Sequence, residues 1–243
     1  MVRPARWLPA SITAESGTLV TLLGAASALF AFALIAEDVL EGETHGFDER
    51  LLRAFRNPND LADPIGPPWF EIMMRDITSL GSTTVLTIVT LAAVFYLVMD
   101  GKRASAALVA IAVSGGALLT YVLKFGFDRP RPDLVAHLVE VSTLSFPSGH
   151  AMGSAVTYLT LGALLARTQP RRRIKIYVLT VAVLLTLMVG VSRVYLGVHW
   201  PTDVLAGWCA GSAWALICWT VALWLQRHGD IEPTPSEEVT PPA

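Results

Sequence analysis

Three short segments in the second half of this 243-residue chain bring together residue types able to handle a multiply charged oxyanion. The first runs Lys-Phe-Gly-Phe-Asp-Arg-Pro-Arg-Pro from Lys124 to Pro132, the second is Pro147-Ser148-Gly149-His150, and the third opens with Ser192-Arg193 and ends at His199 and Asp203. His199 and Asp203 are spaced i, i+4, and Pro201 between them is tolerated in a first helical turn. If a helix begins near Trp200, the Asp203 carboxylate can hold the N–H on one ring nitrogen of His199. The other nitrogen then points its lone pair at a substrate, as a nucleophile held by an orienting partner does. His150, at the head of a neighbouring helix, is left to give a proton to a leaving oxygen.

Lys124, Arg131 and Arg193 are the cations expected to bind the anion, because planar guanidinium forks match phosphate geometry. Pro130 and Pro132 fix φ on both sides of Arg131 and stiffen the backbone that presents it. Ser148 and Gly149 stand where the next helix starts, so their backbone N–H groups and the helix dipole are expected to face the same anion. Gly149 also permits close backbone approach. Snorkelling to lipid headgroups would account for any one of these cations, but not for three converging with two histidines. Two histidines and an aspartate are also a zinc donor set, against which the nearby cations weigh. His45, His137 and His228 read as solvated loop residues.

The elements that must position these residues are apolar helices. The chain is 53% hydrophobic and only 16% charged, where a soluble domain carries roughly 25% charge. Its net charge of −2 leaves no basic excess for a nucleic acid. Six windows, 16–36, 77–99, 104–123, 151–166, 176–192 and 204–226, contain no Asp, Glu, Lys, Arg or His. A bilayer core needs roughly 20 apolar residues of helix, and its backbone amides must be satisfied internally. The fourth window reaches that length when it is begun at residue 148. The expectation is an all-α polytopic membrane protein with six spans in one domain over residues 1–228. Residues 229–243, rich in proline and without apolar period, read as a disordered cytoplasmic tail.

The first window follows Arg3 and Arg6 as a secretory signal would, but its 21 residues exceed the apolar region of a signal peptide, so it reads as a retained helix. Cys209 and Cys218 fall on opposite faces of the last helix, which excludes a mutual disulfide. The segment 37–76 contains ten acidic residues and a stretch, Phe47 to Phe55, with Phe47, Leu51, Leu52 and Phe55 at helical spacing. That spacing suits a short amphipathic helix on the outer membrane surface or against the protein. Trp69 and Trp200 suit an interfacial belt.

Lys and Arg accumulate in cytoplasmic loops, and the cluster Arg167, Arg171, Arg172, Arg173 and Lys175 marks its side as the cytoplasm, with both termini there. Parity of threading puts the loops 124–150 and 193–203 on one face whichever way the chain is oriented.

The three motifs, Lys124-x6-Arg131-Pro132, Pro147-Ser148-Gly149-His150 and Ser192-Arg193-x5-His199-x3-Asp203, resemble those of the type 2 phosphatidic acid phosphatase (PAP2) superfamily of membrane lipid phosphatases. The resemblance covers residues 124–203, and the six-helix layout extends it over most of the chain. It implies a reaction without metal or other cofactor. His199 would attack phosphorus to form a phosphohistidine, Asp203 would orient it, and His150 would protonate the departing oxygen and then activate water. Lys124, Arg131, Arg193, Ser148 and Gly149 would hold the phosphate oxygens. The partners it implies are the bilayer and a lipid phosphate at the outer face of a bacterial inner membrane. Undecaprenyl pyrophosphate comes first among the substrates, with phosphatidylglycerol phosphate, phosphatidic acid and lipid A phosphates as alternatives. Vanadium haloperoxidases share such a site but are soluble. A non-catalytic lipid-binding or transport role is the reading from another class.

Overall fold

The computed structural model describes residues 10–227 apart from residue 142. Eight helices are arranged in chain order: α1 (Ala10–Glu41), α2 (His45–Arg53), α3 (Pro68–Ser79), α4 (Thr83–Met99), α5 (Arg103–Phe127), α6 (Gly149–Thr168), α7 (Arg172–Tyr195) and α8 (Pro201–Arg227). A two-stranded antiparallel hairpin, β1 (Arg56–Asn57) and β2 (Asp60–Pro64), stands between α2 and α3. The fold is all-α as expected, and to it is added this short hairpin. Its turn is closed by side chains a hydropathy pattern cannot reveal, with Asn59 N donating to Asn57 Oδ1 and Ala62 N to Asp60 Oδ1.

Among the described residues, four helical stretches are long and apolar enough to cross a membrane: Gly17–Glu41, Arg103–Phe127, Arg172–Tyr195 and Pro201–Gln226. A fifth arises if α3 and α4, bent by 48° at their junction, are one broken span. The count is therefore four or five rather than the six expected. The helix that falls short on either count is α6, and its composition explains why. It packs along α7 and α8 and touches α4 and α5 as well, so it faces protein rather than lipid. Its buried positions include Ala151, Ser154, Ala155, Thr157, Thr160 and Gly162 beside Met152 and Val156, and such small residues allow close helix approach at the expense of hydropathy. Bulky apolar side chains instead point outward from the peripheral helices, among them Phe30, Phe95, Ile111, Phe125, Ile176 and Tyr177, as suits a lipid-facing surface.

The crossing of α6 and α8 positions the two expected histidines. Gly207 and Gly211 lie four apart on α8. A Cβ at Gly207 would come within 2.8 Å of Ser148 O, and one at Gly211 within 2.7 Å of Met152 O, so the start of α8 lies directly on the start of α6. Trp208 then donates from Nε1 to Thr186 O on α7 and fills the space left by Gly190.

The segment between α1 and α4 packs as a cover on this end of the bundle. In α2, Leu52 is fully buried, while Phe47 and Leu51 remain 47% and 41% exposed. Its fully buried polar residue is Asp48, which the amphipathic pattern did not single out. The hairpin docks on the end of α7: Arg56 Nη1 donates to Tyr195 O at 2.8 Å, and the Tyr195 hydroxyl donates to Ile65 O at 2.9 Å.

Candidate active site

His199 lies in the loop between α7 and α8 and is only 2% exposed. Gly197, two residues earlier, has φ +75°, and a Cβ there would meet Arg56 Nη2 at 2.6 Å and Ala136 O at 2.7 Å. The turn that delivers His199 therefore requires glycine. Asp203 sits in the first turn of α8, fully buried. Its Oδ2 faces His199 Nδ1 at 3.3 Å and accepts from Trp200 N at 2.9 Å and from the Ser145 hydroxyl. The i, i+4 geometry expected for this pair is present.

The tautomer follows from the partners. Arg131 Nη1 lies 3.3 Å from His199 Nε2, and a guanidinium can only donate, so Nε2 is the acceptor and Nδ1 carries the proton toward Asp203. Burial pushes the His199 imidazole down to about 3, with Arg131 and Arg193 acting in the same direction and Asp203 opposing them. The ring is thus neutral near pH 7, with its Nε2 lone pair free for chemistry.

Arg131 is itself clamped: Nε donates to Thr143 O at 2.6 Å, Nη1 to Val198 O at 2.5 Å and Nη2 to Thr143 Oγ1 at 3.1 Å. Burial lowers its pKa, with Asp203 opposing. Lys124 Nζ donates to Leu144 O at 2.6 Å, and Arg193 Nη1 to Thr78 Oγ1 at 3.0 Å. Among the described residues, the buried Arg193 Nε finds no hydrogen-bond partner. Lys124, Arg131, Arg193, Gly149, His150 and His199 all line one cavity of about 580 Å³. Three cations, two imidazoles and a helix start around one space can bind a phosphoryl group and offer it a nitrogen nucleophile.

Ser148 differs from expectation. Its backbone N–H donates to Asp203 O at 3.0 Å instead of facing the cavity, and its hydroxyl accepts from Ala151 N as the cap of α6. Ser148 ties the start of α6 to the start of α8, and the helix start presented to the cavity is that of Gly149. Residues the sequence did not single out complete the site. Arg129 donates from Nη1 to Asp203 Oδ1 at 2.7 Å and from Nη2 to Asp48 Oδ2 at 2.7 Å. Arg129 stands in the same Arg-Pro-Arg-Pro stretch as Arg131, a signal that could have marked it. Ser145, Thr78 and Asp48 carry no comparable signal, because their partners are remote in the chain.

A sequence model described as the PAP2 superfamily matches residues 103–227. Phosphatidylglycerophosphatase B of Bacillus subtilis is 36% identical over 187 residues, covering 74% of this chain and 85% of that protein. Undecaprenyl-diphosphatase of Sulfolobus acidocaldarius is 35% identical over 108 residues, which is 42% of this chain and 46% of the relative. Among solved structures, the transmembrane PAP2-type phosphatidylglycerolphosphate phosphatase of Bacillus subtilis superposes with a TM-score of 0.74 at 30% identity, over 84% of this chain and 98% of that one.

Proposed function

The chain belongs to the PAP2 superfamily of phosphatases, and from that premise we propose that it hydrolyses the terminal phosphate of a membrane lipid through a phosphohistidine on His199. The observation that carries this reading is the neutral His199 ring, its Nδ1 against Asp203 and its Nε2 beside Arg131 in a cavity lined by Lys124, Arg193, Gly149 and His150.

In the first step the His199 Nε2 lone pair forms a bond to phosphorus as the bond to the lipid oxygen breaks. Asp203 holds the Nδ1 proton and stabilises the positive charge that develops on the ring. His150 gives its proton to the departing oxygen, its protonated form being favoured by the dianionic phosphoryl group in the occupied cavity. In the second step His150 takes a proton from water, which attacks phosphorus and releases inorganic phosphate from His199. Lys124, Arg131, Arg193 and the Gly149 N–H hold the equatorial oxygens, where transition-state charge is spread.

For the substrate, the match to phosphatidylglycerophosphatase B over 74% of the chain favours phosphatidylglycerol phosphate. Undecaprenyl pyrophosphate is the second reading, supported by the undecaprenyl-diphosphatase match. We further propose six membrane crossings, with α6 the protein-enclosed sixth, both termini in the cytoplasm, and the cavity opening at the outer face. The proline-rich 229–243, expected to be a disordered tail, lies outside the described residues.

The test is phosphate release by the purified protein across phosphatidylglycerol phosphate, undecaprenyl pyrophosphate, phosphatidic acid and lipid A phosphate. His199→Ala should lower turnover on the order of 10⁴-fold or more and abolish an acid-labile, alkali-stable phosphoenzyme. Wild-type turnover in that variant would end the proposal.

A further inference from the structure

Asp48 is the feature the catalytic reading leaves unexplained. It lies on α2, in the first outer segment, and is fully buried although every neighbouring charge on that helix is exposed or half-buried. Its Oδ1 accepts from Thr202 N at 2.9 Å, one of the N–H groups that the first turn of α8 leaves without a partner inside the helix. Its Oδ2 accepts from the Thr202 hydroxyl and from Arg129 Nη2, each at 2.7 Å.

Arg129 in turn reaches Asp203 Oδ1 through Nη1 at 2.7 Å and also binds Thr44 Oγ1 and Thr202 Oγ1. Its guanidinium lies 5.6 Å from the centre of the Trp200 ring. One guanidinium therefore bridges two buried carboxylates. Asp203 Oδ1 is committed to that bridge, while Oδ2 meets His199 Nδ1, Trp200 N and Ser145. A carboxylate gripped on both oxygens cannot rotate about its terminal bond, and the N–H it accepts from His199 is aimed accordingly.

We infer that Asp48 is a positioning residue for the reaction at His199: through Arg129 and Thr202 it holds the first turn of α8 and the Asp203 carboxylate so that Nδ1–H of His199 stays bound and Nε2 faces the cavity. The inference rests on the proposed roles of His199 and Asp203. It gives the outer helix a part in the chemistry, as the strut that fixes the orienting carboxylate from outside. Without Asp48, Arg129 loses its second anchor and Asp203 Oδ1 its fixed partner, whereas the cations lining the cavity stay where they are.

The experiment is steady-state phosphate release and vanadate inhibition on purified, monodisperse D48N. We expect kcat to fall roughly 10- to 100-fold, with KM and the vanadate inhibition constant each within about 2-fold of wild type, since substrate and vanadate meet Lys124, Arg131 and Arg193. In a D203N background, D48N should add less than a further 2-fold loss, because the carboxylate it positions is gone. Unchanged kcat in D48N, a loss confined to KM and vanadate binding, or an undiminished loss in the D203N background would each overturn the inference. If D48N does not fold, R129K is read in the same way: it keeps the charge but cannot fork between two carboxylates. Full turnover in His199→Ala would instead sink the underlying mechanism, so the two failures are told apart.

Discussion

A single imidazole, neutral and aimed, carries the proposed chemistry, and the groups around it determine both properties. Asp203 and Arg131 assign the tautomer from opposite sides of the ring, and burial keeps the ring uncharged. Because its folded value lies near 3, below the ordinary value near 6.5, His199 favours the fold most fully above pH 6.5. That contribution is lost as pH falls toward 3, where the unfolded chain takes up a proton that the folded ring resists. Melting in detergent between pH 7 and 5 should therefore fall less steeply for His199→Gln than for wild type, by up to about 1.4 kcal/mol per pH unit. Equal slopes would show that the ring titrates normally. Ser145→Ala removes a donor from Asp203 Oδ2. It should cost about 1 kcal/mol in stability and roughly 10-fold in kcat with little change in KM, which a wild-type kcat would refute. No sequence pattern marks Ser145, because it acts on a carboxylate 58 residues away.

Among the elements, the close crossing of α6 and α8 brings the two histidines to one cavity. It depends on backbone contact at Gly207 and Gly211. Gly211→Ala would drive a methyl group into Met152 O, so we expect a stability loss of about 1–3 kcal/mol together with reduced phosphate release. A variant that keeps both wild-type melting and turnover would show that the crossing has slack. The bend between α3 and α4 belongs to the site too. The Tyr158 hydroxyl donates to Leu80 O at 2.6 Å, and Gly81 leaves room for Val189 and His150, whose nearest atoms would lie 2.3 and 3.3 Å from a Cβ there. The uncharged window 77–99 begins within α3 and runs through this bend, since hydropathy registers apolar length and not a change of direction. Hydropathy also leaves α6 out of the candidate spans, since its small interior residues pack against protein.

Across the whole molecule, charge is excluded from the apolar helix bodies and gathered at their ends, one of which holds the cavity. Lys124, Arg131 and Arg193 line the cavity and on the proposed mechanism hold the phosphoryl group, so vanadate should inhibit competitively and EDTA should leave turnover unchanged. Loss of activity in EDTA with rescue by a divalent ion would favour a metal mechanism. The proposed orientation is checked with single cysteines in a Cys209→Ala, Cys218→Ala background. A membrane-impermeant maleimide applied to intact cells should label a cysteine at Glu140, on the cavity face, and spare one at Arg172. The reverse pattern would invert the topology.

The helical class, the convergence of two loops on one face and the residue types of the site were all legible in the chain. They depend on local quantities: apolar length, parity of crossings, and spacing within single motifs. The i, i+4 spacing of His199 and Asp203 was readable for the same reason, because one helical turn determines it. Tertiary structure alone decided how these pieces are held. Asp48 reaches Thr202 across most of the chain, Arg129 bridges two carboxylates from different helices, and the Ser148 N–H is spent on Asp203 O rather than on an anion. A buried polar group must find a partner wherever the fold supplies one, and which group that is depends on distances between remote segments that no local pattern records.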